Sequence, residues 1–209
     1  MRARTARDTR RRILDAAVRL FVERGYSATG VADIARAAGV SRRAIHLIFA
    51  GKRAILDEAI AAALGGDEAP LNLHDRDWFK ATVEAPAAEM LGLFARFTTA
   101  LHLRSAALLE VAEAAAAVDF EMAIRRERGH ENRRADMRRV AEALARKTGV
   151  DAGHATDLLY TLGSSSVYSL LVFQSGWTPE RFEAWLKGAL EALLLPGIPA
   201  PSGKPDTGS

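Results

Sequence analysis

Apolar residues recur along this chain at helical intervals, and the stripes they draw outline its elements. Leu14, Ala17, Val18 and Phe21 keep an i, i+3, i+4, i+7 spacing that predicts a first helix over about 7–24, closed by Gly25. Residues 29–49, TGVADIARAAGVSRRAIHLIF, carry two short helical patterns parted by a glycine, spaced as a helix-turn-helix requires. Ile34, Ala38, Val40, Ile45, Ile48 and Phe49 are the apolar positions two crossing helices would bury. Ala35 places only a methyl group at the crossing, and Gly39 can take the φ > 0 turn that bulkier residues resist. Thr29 and Ser41 stand where N-caps belong. A fourth helix is expected from Lys52 to about Leu64, with Ile55, Leu56, Ala59, Ile60 and Ala63 facing inward.

GGDEAP at 65–70 is the first breaker cluster and marks the expected boundary between a domain at 1–64 and a larger helical domain at 65–195. The larger domain reads as helices at about 86–103, 105–117, 119–148, 152–174 and 178–195. The last opens on Thr178 as N-cap, Pro179 at N1 and Glu180 in the first turn. Its stripe is Phe182, Trp185, Leu186, Ala189, Leu190, Leu193 and Leu194. Residues 196–209 hold four prolines and little to bury, and read as a disordered tail. The expectation is an all-α protein of about nine helices without internal repeats.

Composition sharpens this picture at two points. The net charge of +3 hides an asymmetry: residues 1–60 carry +7 and the remainder −4. A basic segment coincident with a helix-turn-helix pattern is what a polyanion partner requires. Cysteine is absent, which excludes disulfides and thiolate metal sites. No apolar run approaches the ~18 residues of a membrane span, and the arginine-rich start leads into an amphipathic helix instead of a secretory h-region. A cytoplasmic protein without membrane attachment is expected.

Down the second helix of the motif, Ile45, Ile48 and Phe49 share one face, while Arg43, His46 and Leu47 share the opposite one with Arg42 on its flank. One face folds and the other is free to enter a DNA groove. Residues 13–60, ILDAAVRLFVERGYSATGVADIARAAGVSRRAIHLIFAGKRAILDEAI, resemble the TetR family of bacterial transcriptional regulators. The upstream helix, the RGY linker and the F-x-x-K-x-x-[IL]-L continuation make that resemblance far more specific than the motif alone. VYSLLVFQSGWTPERFEAWLKGALEALLLP also looks like the closing two helices of many such regulators. The resemblance implies a three-helix DNA-binding head joined to a larger ligand-binding and dimerisation domain. It further implies a homodimer through the last two helices, about 152–174 and 178–195, and release from a palindromic operator when a small effector binds.

Where many members have Gly-Thr-[Leu/Ile]-Tyr, this chain has Arg43-Ala44-Ile45-His46, and Ala44 offers phosphate no hydroxyl. Gly51 stands for the usual serine before Lys52. The expected DNA-binding set is Thr29, Ser41, Arg42, Arg43, Ala44, His46, Leu47 and Lys52. Arg42 and Arg43 open the recognition helix, where either can pair with guanine O6/N7. Thr29, His46 and Lys52 are expected on phosphate, though His46 also reads as a surface histidine without a role. Leu47 either meets thymine methyl groups or rests against the backbone. Residues 1–6 read as a basic flexible arm, and Arg2, Arg4, Arg7, Arg10, Arg11 and Arg12 as either an arm reaching an adjacent groove or a mobile tail adding salt-dependent affinity.

A ligand cavity in the larger domain needs apolar walls with few polar groups. Phe94, Phe97, Leu101, Leu108, Val111, Phe120 and Tyr160 are the candidate walls, with His102 and Glu110 as polar anchors; helical core is the competing reading for each. The seven arginines between Arg125 and Arg139, interleaved with Glu127, Glu131 and Asp136, read as a solvated face. Gly163–Val167 lacks the second glycine of a nucleophile elbow and sits in helical periodicity. The five histidines show no metal-ligand spacing, and no cofactor is expected. The favoured function is a repressor released by a small, largely apolar molecule. The alternatives are a ligand-independent helix-turn-helix regulator and a helical-bundle enzyme or carrier.

Overall fold

The computed structural model describes residues 2–66 and 73–195; the tail expected at 196–209 lies outside them. As the periodicity predicts, the described chain is all-α and contains no strand. Its helices are α1 (Arg2–Arg24), α2 (Val31–Ala38), α3 (Arg42–Ile48), α4 (Lys52–Gly65), α5 (Asp77–Glu84), α6 (Ala87–Ala116), α7 (Phe120–Thr148), α8 (Ala152–Leu162), α9 (Ser165–Tyr168) and α10 (Pro179–Leu194). They form two compact units. One comprises Met1–Leu73 with Ala100–Asn132, the other His74–Thr99 with Arg133–Ser209.

In the first unit α1 packs on α2 and α4, and α2 crosses α3. Ile13, Ala17 and Phe21 of α1 meet Ile34 of α2, Ile45 of α3, and Ile55 and Leu56 of α4 in one core where none of the seven is exposed. Leu108 and Val111 of α6 and Met122 of α7 complete the same core. Gly39, at φ 63°, ends α2 in the left-handed conformation and aims its N–H back at the last turn. Only two residues, Val40 and Ser41, separate Gly39 from the start of α3.

Residues 1–6 were expected as a flexible arm, yet the backbone from Arg2 onward is helical and continuous with α1. No glycine or proline precedes Gly25, and alanine and arginine favour helix.

The chain beyond α4 departs further from expectation. Helix α5, unanticipated, is eight residues long and buries Phe79, while Trp78 meets the Phe97 ring at 5.1 Å between centroids. Helix α6 is unbroken where two helices were expected. The break expected near residue 104 is absent, and the Ser105 hydroxyl donates to the Leu101 carbonyl at 2.8 Å, satisfied within the helix. The span 152–174, expected as one helix, is broken at Gly163 and resumes with Ser164 as N-cap, its Oγ accepting from the Val167 N–H at 3.2 Å. After α9 the chain winds through a π-helical turn, Ser169–Gln174. Helix α10 starts as predicted, Thr178 Oγ1 accepting from the Arg181 N–H at 3.2 Å with Pro179 next. It packs on α8 and buries Phe182, Leu186, Leu190 and Leu194, whereas Leu193 of the expected stripe is half exposed.

Candidate nucleic-acid interface

Helix α3 is only seven residues long, and what it presents follows from what anchors it. Ser41 caps it, its Oγ accepting from the Ala44 N–H at 3.1 Å. Ile45 is wholly buried and Phe49 nearly so, which fixes the rotation of the helix about its axis. At 3.6 residues per turn, Arg43 and Leu47 each lie about 20° from the direction opposite Ile45; Ala44 and His46 lie about 80° to either side, and Arg42 about 120°. Arg42, Arg43, His46 and Leu47 are all exposed, and Ala44 is half-buried. Leu47 stands out at 78% exposure. Six of the eight residues expected to meet DNA, Ser41 to Ala44 with His46 and Leu47, therefore sit together on or beside one outward helix.

Thr29 requires correction. It is 1% exposed, and Gly30, not Thr29, occupies the N-cap of α2. The glycine has no side chain to cap with, so the Asp33 carboxylate accepts from the Gly30 N–H at 3.1 Å instead. The Thr29 hydroxyl lies 2.8 Å from the Gly25 carbonyl and 3.2 Å from that of Leu20, serving the α1–α2 connection and not a phosphate.

Lys52, the first residue of α4, is also occupied. Its Nζ donates to the Tyr26 carbonyl at 2.8 Å and lies 4.0 Å from the centre of the Tyr26 ring. Burial pushes its pKa below the usual lysine value, with nearby Arg53 acting in the same direction against Asp119.

Two arginines expected in a DNA-reaching arm are bound into the head. The Nε and Nη2 of the Arg10 guanidinium donate to the two oxygens of the Glu58 carboxylate, and the group stands 4.7 Å from the centre of the Phe49 ring. Arg12 donates to the carbonyls of Ala38 and Gly39, at 2.5 and 3.1 Å, and so closes the C-terminus of α2. Arg7 and Arg11 are exposed. The side chains of Arg2 and Arg4 lie outside the described residues.

Charged pairs brace α4 from its other side. Arg53 donates to Asp119 at 3.0 Å, and Arg125 pairs with Asp57. The hydrogen bond from Arg53 holds the Asp119 carboxyl below its ordinary pKa, while burial pushes Asp57 up against the pull of Arg125. Arg125 to Arg139 is thus more than a solvated face. Arg134 pairs with Asp157, Arg139 donates to Asp136 at 3.1 Å, and Arg133 stacks 4.3 Å from the Tyr160 ring centre.

The expected ligand-lining residues do not fall into one unit. Phe94, Phe97 and Tyr160 belong to the second; Leu101, His102, Leu108, Glu110, Val111 and Phe120 belong to the first. Leu108 and Val111 are core beneath the head, and Phe94 and His102 are buried. Phe120, expected as a wall, is 78% exposed, and Glu110, expected as an anchor, is exposed on α6. Among the described residues no three His, Asp or Glu side chains converge as a metal site needs, and no helix is long and apolar enough to cross a membrane.

Residues 13–59 match the family model described as bacterial regulatory proteins, tetR family. The regulator AcrR of Shigella flexneri is 47% identical over 53 residues, which cover 25% of this chain and 25% of that protein. The match thus spans about a quarter of either protein. Likeness to solved structures extends further, at lower identity. The structure of a SmeT–triclosan complex aligns with a TM-score of 0.69 at 20% identity, over 95% of this chain and 97% of that one. The transcriptional regulator FadR from Bacillus subtilis, in complex with stearoyl-CoA, aligns with a TM-score of 0.66 at 20% identity, over 86% and 96%. These structural matches establish a shared fold.

Proposed function

We propose that the chain is a TetR-family transcriptional regulator, a ligand-responsive repressor acting as a homodimer on a palindromic operator; the match of residues 13–59 to that family's model supports the reading. Its homologues are regulators and not enzymes. The observation that carries the DNA-binding part is the orientation of α3: buried Ile45 turns Arg43 and Leu47 outward, with Arg42 and His46 exposed at their side. A short capped helix of that kind, on a head whose first 60 residues carry +7, suits the major groove.

The dimer would form through α8 to α10, where Leu170, Phe173 and Leu193 each leave about half their surface exposed. Two-fold symmetry of the protein would be mirrored in paired half-sites. For the effector, two proteins of the same fold are seen in complex with molecules that have a sizeable apolar part, triclosan in one and the acyl chain of stearoyl-CoA in the other. A cytoplasmic location follows from the role.

The test is a titration of the purified chain against labelled duplexes holding the inverted repeats that flank its own gene, at rising salt. Saturable binding with a steep salt dependence is expected, followed by release when triclosan or stearoyl-CoA is added. Binding that neither compound reverses would leave a regulator without this effector class. Failure to bind any duplex in dilute buffer would overturn the reading.

A further inference from the structure

Helix α3 carries a specific reading of DNA beyond the fact of binding. We infer that Arg43 and Leu47 together read one half-site, Arg43 through guanine O6/N7 and Leu47 through the 5-methyl group of a thymine about one to two base steps away. The inference rests on the DNA-binding reading above and deepens it.

Three observations carry it. First, Arg43 and Leu47 are the two residues nearest the direction opposite wholly buried Ile45, so a groove that accepts this helix meets them before Arg42 or His46. Arg42 lies toward the flank, where a phosphate strand runs. Second, Leu47 is 78% exposed and takes no part in the core beneath it, although Ile48 beside it packs against that core. A leucine offers neither hydrogen bond nor charge to a phosphate; the apolar feature of a base edge in the major groove is the thymine methyl. Third, half-buried Ala44 adds no bulk on the flank. The helix can therefore approach closely enough for a leucine, shorter than arginine, to touch a base.

Register follows from geometry. Four residues of helix rise about 6 Å along the axis, and successive base pairs are about 3.4 Å apart. A helix lying in the major groove runs obliquely to the duplex axis, so the guanine and the thymine are separated by about one to two steps.

Duplexes selected by the full chain from a random pool supply the probe. Uracil then replaces each thymine in turn, deleting the methyl and keeping the base pair. One thymine per half-site is expected to cost the native chain about fourfold in affinity, the worth of one buried methyl-sized group. Leu47→Ala should bind the thymine and uracil duplexes alike. 7-Deazaguanine about one to two base pairs from that thymine, lacking the N7 acceptor, should weaken the native chain and leave Arg43→Ala unchanged. Indifference of the native chain to every uracil, or a uracil penalty that survives in Leu47→Ala, would overturn the inference while duplex binding stands. A pool from which no duplex is enriched would overturn it together with the DNA-binding reading.

Discussion

The ammonium of Lys52 donates to the Tyr26 carbonyl at 2.8 Å and rests 4.0 Å from the centre of the same residue's ring. One side chain thereby ties the first turn of α4 to the connection between α1 and α2, two segments that between them hold the recognition helix in place. The desolvation that depresses the Lys52 pKa is the cost of this clamp.

Lys52→Ala removes the clamp as well as a positive charge. The hydrogen bond and the cation–π contact, both partly exposed, together stabilise the head by about 1–2 kcal/mol. Chemical denaturation should register a loss of that size, alongside weaker binding to specific and random duplexes alike. Weaker binding with undiminished stability would show that the lysine serves phosphate alone.

Thr29 separates the two roles in the opposite direction. Its buried hydroxyl lies among the backbone carbonyls of Gly25 and Leu20, so Thr29→Val should cost about 1 kcal/mol of stability. The slope of log affinity against log salt should stay as it was, whereas loss of a phosphate contact would lower it by about one. A reduced slope at undiminished stability would return Thr29 to the interface.

Ile45 and Leu47 stand two residues apart on one short helix and should behave as opposites. Ile45→Ala empties a fully buried position and should cost about 2–5 kcal/mol. Leu47→Ala changes an exposed position and should leave stability within about 0.5 kcal/mol. Denaturation midpoints of the two variants check both figures. A large loss from Leu47→Ala would mean that this residue supports the fold and does not face a partner.

What could be read from the sequence divides along the range of the interaction responsible. The cap at Ser41, the turn at Gly39 and the start of α10 at Thr178 depend on residues within one helical turn, and all three stand as their spacing predicts. Ile45 and Phe49 against Arg43 and Leu47 is likewise a local periodicity. Thr29 was misplaced because its hydroxyl is claimed by carbonyls on α1 and the turn after it, which no count from α2 discloses. Arg10 looks in sequence like any DNA-seeking arginine, since its carboxylate partner Glu58 lies 48 positions away. Helix α5 was missed because eight residues form too short a stripe beside a breaker cluster. The ligand-lining expectation rested on residue type, which cannot sort its members: Phe120 and Phe94 share one, and only packing exposes the first and buries the second.

The pair Arg53–Asp119 gives the head a dependence on acid. The hydrogen bond from Arg53 is the chief cause that lowers the Asp119 pKa, with backbone N–H groups of Met122 and Glu121 adding to it. A carboxyl held below its unfolded value binds fewer protons folded than unfolded, so it contributes stability above its ordinary pKa. That contribution declines as the pH falls through the ordinary carboxylate range and is gone below the folded value. Asp119→Asn should therefore be less stable than the native chain at neutral pH, and the gap should close on acidification. Denaturation curves of both proteins across that range provide the measurement. A gap that stays constant with pH would assign the effect of the substitution to packing at the α6–α7 turn and not to the charge on Asp119.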